Sequence, residues 1–296
     1  MAAGEQKLGN ALGYQLFYLF IKVGGRRCAY ALLNWVCAFY VLFRPQVRCS
    51  CEPYLTHRFG AAVGFTKLWQ QYRLILSFGR VMVDRAIVAT LGAEQIKVSL
   101  VGREQLLQVR DQGRGMILLL SHVGCWQLAM SAMGALNEPL YMLMHGHASS
   151  FESKNYQTEV DSSCPYRTID PQGYLGGSLE MLGVLKSGGI LSIMGDRVPR
   201  QEKNTAPVSL LDGEVALPIS PYHLASATGA PIVVLTSRKT GDSTYEMVVA
   251  DVIEVPVGLG RKADKFIPYV QRYAAILDDY CQKNPYQFYN FFNMWQ

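Results

Sequence analysis

Residues 115–121 read GMILLLS, and the residues that follow, 122–130, read HVGCWQLAM. The first stretch is a continuous apolar run, which is typical of a strand buried on both faces of a parallel sheet. Around it, short apolar runs alternate with amphipathic segments of helical period. Such alternation predicts an α/β fold in which helices flank a central sheet.

Individual strands and helices follow from the same patterns. The predicted strands are Lys97–Val101, Gly115–Ser121, Leu140–Met144, Gly189–Met194, Pro207–Leu211, Pro231–Ser237 and Thr244–Val252. The predicted helices are Val63–Leu91, Arg103–Arg110, Trp126–Leu136, Glu152–Val160, Gly177–Lys186, Ile219–Ala227 and Lys265–Gln282. Turn residues at 240–242 predict a hairpin between the last two strands. We therefore expect a single α/β domain with a mixed central sheet.

The N-terminal segment is unusually apolar. Residues 8–43 contain two apolar stretches divided by Lys22 and the sequence GGRR at 24–27. Each stretch is shorter than the roughly 20 apolar residues of a transmembrane helix. Aromatic residues with arginines at the ends suit the boundary between lipid headgroups and tails. Residues 1–60 are therefore predicted to form a membrane-associated helical segment before a domain at 61–296, and a helical hairpin buried in the core is the alternative.

Charge and cysteine content exclude several classes of protein. The chain carries 28 Lys and Arg against 23 Asp and Glu, a net charge of +5, and its basic residues are dispersed. This favours an anionic membrane or phosphorylated substrate over nucleic acid. The seven cysteines lack the spacing of a zinc site, because no second pair accompanies Cys49 and Cys51. A reduced, cytoplasmic location without a bound metal is the prediction.

His122 stands where the apolar run ends and a predicted helix begins. The carboxyl ends of such strands are where open sheets expose ligand sites, and a histidine there can take a proton from a hydroxyl. Gln127 follows about one helical turn later, near enough to hydrogen-bond the ring and fix its tautomer. From this pattern alone, a structural histidine is the more common outcome.

Three further residues are candidates for the same cleft. Asp196 and Arg197 end another predicted buried strand. Arg197 is a candidate to hold a phosphate or a developing oxyanion, and Asp196 is a candidate carboxylate partner for His122. Trp126 is a candidate lining of an acyl groove, which needs a mostly apolar wall. The alternatives are a solvated ion pair at the strand end and ordinary core packing.

The sequence lacks the motifs of serine hydrolases, nucleotide-binding proteins and metal sites. The sequence contains neither a Gly-x-Ser-x-Gly hydrolase elbow nor a Walker A phosphate loop. His145 and His147 lie two residues apart in a predicted loop without a third ligand, which is weak support for a metal site. We therefore expect neither a nucleotide cofactor nor a metal.

The segment at 121–130 resembles the glycerolipid acyltransferase motif, in which an acidic residue follows a histidine after four residues. It is similar to the His-x-Gly-x-Trp-Glu form in the late acyltransferases of lipid A biosynthesis, the lauroyl and myristoyl acyltransferases. The other matching segments, which come in that family's order, are the apolar N-terminus, GILSIMGDR at 189–197, LPISPYHLASATGAPI at 217–232 and NPYQFYNFFNMW at 284–295. The resemblance covers nearly the whole chain.

The resemblance implies an acyltransferase at the cytoplasmic face of a bacterial inner membrane. It implies transfer of a fatty acyl group from an acyl carrier protein or coenzyme A thioester to a hydroxyl of a lipid A-like glycolipid, with His122 as general base. The thioester is then a co-substrate, and no cofactor is implied.

Gln127 departs from the family, which has an acidic residue at this position. An amide accepts a ring hydrogen bond through its oxygen but supplies no negative charge. Three interpretations are open: a variant whose histidine is supported by another group, a substitution that traps an inactive enzyme, and a lipid-binding homologue without catalysis.

Overall fold

The structure, a computed structural model, describes residues 11–136, 138–143, 166–170, 177–198 and 204–295. Its strands are β1 (Lys97–Val101), β2 (Met116–Leu120), β3 (Leu140–Leu143), β4 (Tyr166–Ile169), β5 (Ile190–Met194), β6 (Thr205–Leu210), β7 (Gly213–Pro218), β8 (Ile232–Lys239) and β9 (Thr244–Ile253). Seven of them form one sheet in the order β1-β9-β8-β2-β5-β3-β4, and β6 and β7 form a separate hairpin. Among the described strand pairs of the large sheet, only β8–β9 is antiparallel, which confirms the predicted mixed sheet.

The centre of the sheet is β2, which pairs with β5 on one side and β8 on the other. All five of its residues are buried, because apolar clusters cover both faces of the strand. The register aligns Leu120 with Met194, so β2 and β5 end side by side. Residues that follow these two strands therefore emerge at the same edge of the sheet.

Helices cover the sheet and extend from it. They are α1 (Ala11–Phe43), α2 (Pro45–Phe59), α3 (Gly64–Leu91), α4 (Arg103–Asp111), α5 (Trp126–Ala129), α6 (Ser178–Lys186), α7 (Ser220–Thr228) and α8 (Ile267–Lys283). Five of them, α3, α4, α6, α7 and α8, agree with the sequence-based prediction within two residues at each end. Their apolar spacing and glycine boundaries determine these limits.

The observed elements differ from the predicted ones in two respects. The single helix predicted at 126–136 is a short α5 followed by a 3₁₀ helix, Met130–Leu136, and Gly134 within it disfavours a continuous α-helix. Strands β4 and β7 were not predicted, although β7 completes a hairpin with β6. The predicted helix at 152–160 lies outside the described residues.

The N-terminal helix α1 is interrupted at Gly25, whose φ of 60° and ψ of −159° are not helical. Gly25 falls within the predicted division of the apolar segment, yet α1 continues past it and packs on α3 through buried residues such as Leu33 and Val83. Among the described residues, no single helix has the length and apolarity to cross a bilayer. The helices Phe17–Phe43 and Pro45–Phe59 meet that requirement only as a pair, bent by 91°.

Candidate active site

The loop after β2, residues 121–125, is fixed from two sides. Ser237 Oγ, near the end of β8, donates to the Val123 carbonyl at 2.8 Å, and the Gly124 N–H donates to the Gln287 carbonyl at 2.8 Å. Gly124 has a φ of 54°, and a Cβ built on it would lie 2.2 Å from the backbone carbonyl oxygen of Ser237. Only glycine fits here, and the loop holds His122 in a defined place.

Asp196 meets His122 directly after β5. Asp196 Oδ1 lies 2.9 Å from His122 Nδ1, and Asp196 Oδ2 accepts a hydrogen bond from the His122 backbone N–H at 2.9 Å. The Asp196 side chain is fully buried, whereas the His122 side chain is 26% exposed. The pair therefore combines an enclosed carboxylate with an imidazole that reaches the surface.

The charge of this pair follows from its surroundings. Burial alone raises the pKa of Asp196, but the charge of a protonated His122, two hydrogen bonds from that residue and the nearby Arg197 outweigh it, so the pKa is lower than usual. An ionised carboxylate only accepts hydrogen bonds, so His122 Nδ1 carries the hydrogen in the contact. In the neutral ring, Nε2 then has a lone pair that can accept a proton.

Gln127, in α5, lies close to Cys125, the last residue of the loop before that helix. Its Oε1 is 3.6 Å from the Cys125 thiol, and burial raises the pKa of that thiol to about 11, so the thiol stays neutral. Within the described part of the chain, the hydrogen bonds of the His122 ring are with Asp196. The sequence predicted Gln127 as the ring partner and Asp196 as a candidate carboxylate partner. In the structure the ring contacts Asp196, because β2 and β5 end side by side.

Arg197 is held beside the pair by the segment that follows α8. Its Nε donates to Asn290 Oδ1 at 3.1 Å, and its Nη2 donates to the Tyr289 carbonyl at 2.9 Å. Burial lowers the pKa of the guanidinium, and the adjacent Asp196 opposes that change. Since an arginine remains protonated in proteins, Arg197 brings a positive charge to the edge where His122 lies.

The same segment also contacts the His122 loop. The Tyr289 N–H donates to the His122 carbonyl at 2.9 Å, and Val123 forms an isolated bridge with Phe288. The sequence does not predict contacts between this segment and the His122 loop, because backbone hydrogen bonds leave no residue signature. Its one usable signal was Asn290, a polar residue among aromatic ones that is fully buried here.

Trp126 is the first residue of α5. Its partly buried side chain packs against the apolar cluster that contains Leu118, Leu120 and Met130. This position fits core packing and leaves its predicted contact with substrate untested. Among the residues that the structure describes, no cluster of three or more histidine, cysteine or acidic residues could hold a metal ion. His145 and His147 lie outside those residues.

The family model of the bacterial lipid A biosynthesis acyltransferases matches residues 73–296. The chain belongs to this family. The matched range contains His122, Gln127, Asp196 and Arg197 as well as the segment after α8. A comparison with curated protein sequences gives no match. Membership makes the chain an acyltransferase of the lipid A type, in a family that uses acyl thioester donors and lipid A-like acceptors.

Proposed function

We propose that this lipid A-type acyltransferase moves a fatty acyl group from an acyl carrier protein or coenzyme A thioester to a hydroxyl of a lipid A-like glycolipid, with His122 as general base. The observation that carries the proposal is the contact between His122 Nδ1 and the buried Asp196 carboxylate. This carboxylate supplies the negative charge that Gln127 lacks.

In the first step, the acceptor hydroxyl gives its proton to His122 Nε2 while its oxygen attacks the thioester carbonyl carbon. Asp196 orients the ring through Nδ1 and stabilises the imidazolium that forms. The tetrahedral intermediate then collapses: the carbon–sulfur bond breaks, and the thiolate leaves with the proton held on Nε2. The products are an ester and a free thiol, so the ring returns to its neutral state.

Arg197 supports this chemistry as a fixed positive charge. Its Nε and Nη2 are held by the segment after α8, so the guanidinium loses little freedom when a ligand binds. We assign it to a phosphate of either substrate or to the developing oxyanion. Trp126 is assigned to the acyl groove, and Gln127 to the support of the loop through Cys125.

The proposed location is the cytoplasmic face of a bacterial inner membrane, where both a thioester donor and a glycolipid acceptor are within reach. The proposed reaction needs neither a metal nor a cofactor, because the acyl group is already activated as a thioester. The rival is a lipid-binding homologue without turnover, which the missing acid at position 127 favours.

Acyl transfer from radiolabelled acyl carrier protein to extracted bacterial glycolipids tests the proposal. The protein is compared with His122→Ala, Asp196→Asn and Gln127→Glu in the same detergent. We expect turnover by the unchanged protein and its loss in the first two variants. Turnover that appears only in Gln127→Glu would identify a trapped enzyme, and lipid binding without turnover in all four proteins would establish the rival.

A further inference from the structure

The helix α8 places one buried side chain against both strand ends of the proposed active site. Tyr273 is 1% exposed, and its hydroxyl donates a hydrogen bond to the Leu120 carbonyl at 3.0 Å. Leu120 is the last residue of β2 and stands two residues before His122. We propose that Tyr273 is a positioning residue, which sets the geometry of the contact between His122 and Asp196. The inference rests on the proposed function, because it gives the same pair a further support.

The Leu120 carbonyl joins the ends of the two strands. It also accepts a hydrogen bond from the Gly195 N–H at 2.8 Å, and Gly195 directly precedes Asp196. A carbonyl oxygen has two lone pairs, so it can accept from the backbone of Gly195 and from the tyrosine together. One atom of β2 is therefore bonded both to the chain that carries Asp196 and to α8.

The ring of Tyr273 also packs on the chain at the end of β5. A Cβ built on Gly195 would lie 3.1 Å from Tyr273 Cζ and 2.7 Å from Leu119 Cδ1. The backbone of Gly195 thus lies against both side chains and leaves no room for a side chain of its own. Tyr273 therefore contacts the chain just before His122 through its hydroxyl and the chain just before Asp196 through its ring.

The hydroxyl of Tyr273 is not needed to satisfy the backbone. The Leu120 carbonyl already has the Gly195 N–H as a partner, and a phenylalanine ring would fill the same apolar space. Burial of a hydroxyl costs free energy, which its hydrogen bond offsets with only a modest net gain. The folding of the chain therefore gives little reason for a tyrosine here, and the geometry of the site gives a direct one.

The phenol of Tyr273 stays a hydrogen-bond donor. Burial raises its pKa well above the ordinary value, and the negative charge of Asp196 raises the pKa further. The proton therefore remains on the oxygen in the neutral pH range, where the Leu120 carbonyl accepts it in a hydrogen bond.

The helix α8 is a fixed support for this side chain. Tyr280 stands seven residues after Tyr273, or about two helical turns, so both side chains project from the same face. The Tyr280 hydroxyl donates to the Ser237 carbonyl at 2.8 Å. Three further residues of α8 are fully buried in the core: Val270, Ala274 and Leu277. One face of α8 thus holds β2 and its neighbour β8 at the ends from which the His122 loop is supported.

Steady-state acyl transfer by the full-length protein, from acyl carrier protein thioester to extracted bacterial glycolipids, tests the proposal. Tyr273→Phe removes the hydroxyl and keeps the ring. The matched control is Tyr222→Phe, because the Tyr222 side chain is equally buried and its hydroxyl has no hydrogen-bond partner among the described residues.

We expect Tyr273→Phe to lower kcat by on the order of 10- to 100-fold, since a misplacement of about 1 Å can cost about 10²-fold. The KM should change little, because the tyrosine acts on the reacting groups rather than on substrate binding. Tyr222→Phe should keep the wild-type kcat.

Urea unfolding at a series of acid pH values measures the same positioning without turnover. Burial raises the pKa of Asp196, but the contact with His122 holds it below the ordinary value, so stability is lost as the pH falls through that range. A looser contact in Tyr273→Phe should make this loss shallower than in wild type and in Tyr222→Phe. In an Asp196→Asn background, Tyr273→Phe should leave the shape of the profile unchanged, because the carboxylate is absent.

Two outcomes would overturn the proposal: a kcat of Tyr273→Phe equal to that of Tyr222→Phe, or a uniform loss of stability at every pH, as expected of a tyrosine that only supports the fold. Absence of turnover in the unchanged protein would count against the proposed function alone. The acid unfolding profiles would then decide the role of Tyr273.

Discussion

His122 and Asp196 are 74 residues apart in the chain, yet His122 Nδ1 lies 2.9 Å from Asp196 Oδ1. The contact depends on two adjacent parallel strands that end at the same level, β2 and β5. The histidine ring can thus be hydrogen-bonded either by an acidic residue of the helix that follows it or by an acidic residue at the end of the strand beside it in the sheet. The structure has the second arrangement. Among the hydrogen bonds of the described residues, those of the ring are with Asp196, and Gln127 Oε1 accepts from the Cys125 thiol.

The exchange Asp196→Asn should lower kcat for acyl transfer by about 10⁴-fold, since the equivalent exchange in a serine protease triad has an effect of that size. The amide can still bond Nδ1 but does not stabilise the imidazolium. Gln127→Ala is the matched comparison and should lose less than the roughly 10²-fold that is the lower end of the contribution of general acid–base catalysis. Initial rates with acyl carrier protein thioester measure both. A larger loss in Gln127→Ala than in Asp196→Asn would contradict the assignment.

The acid stability of the protein should depend on Asp196. Its pKa lies below the ordinary value, so the carboxylate stabilises the folded state above about pH 3.9, the ordinary pKa of Asp. That contribution is lost as pH falls from there through the lowered folded-state pKa. Urea unfolding at a series of acid pH values should show a steeper fall for wild type than for Asp196→Asn. Identical pH profiles would show that folding does not perturb this carboxyl.

Gly124→Ala should destabilise the protein and abolish acyl transfer. The positive φ alone costs a residue with a side chain about 1–3 kcal/mol, and its Cβ would also displace the Ser237 carbonyl. Gly183→Ala in α6 is the control, because a Cβ there meets no atom within 4 Å. It should be neutral or stabilise by up to about 1 kcal/mol. Thermal unfolding and transfer rates measure both, and a wild-type rate in Gly124→Ala would contradict a tightly held loop.

Asp84 should be essential to the attachment of α1. Its buried carboxylate accepts hydrogen bonds from Arg26 and Tyr30 of α1 and from Lys239 and Tyr245 of the sheet. Asp84→Asn leaves two cations with little solvent and no partner charge, which costs about 3–5 kcal/mol in the free energy of unfolding.

Asp279→Asn is the control for Asp84→Asn, because Asp279 forms an exposed ion pair with Lys283. It should change the free energy of unfolding by less than about 1 kcal/mol. Chemical denaturation measures the pair of variants, and limited proteolysis within α1 reports whether that helix has come loose. Equal stability of the two variants would mean that apolar packing on α3 alone holds α1 in place.

The sequence predicted the sheet well where a local signal was strong. The run at 115–121 is apolar throughout and became the central strand β2. The β6–β7 hairpin was missed because its turn uses Leu211 and Asp212, with φ of 50° and 57°, rather than the Asn-Gly or Gly-Gly pairs typical of such turns. A four-residue edge strand such as β4 is too short to produce a pattern.

The candidate site was predicted in part for the same reason. His122 and Asp196 were predicted to be neighbours because each follows a buried strand, and the carboxyl ends of parallel strands lie at one edge of the sheet. Sequence proximity favoured Gln127 as the ring partner, and only the register of β2 against β5 reveals the other geometry. The contacts of Gln287 and Tyr289 with the histidine loop use backbone atoms, so no side-chain pattern could indicate them.

The contacts of the segment after α8 also bear on when the active site forms during folding. Gln287 and Tyr289 close the loop of His122, although they leave the ribosome long after β2 and β5. Contacts between such distant parts of a chain are slow to form, because the intervening loop must first be closed. A nascent chain with a complete sheet would therefore still have an open histidine loop. The capacity for acyl transfer should arise in one of the last steps of folding, after the sheet has assembled.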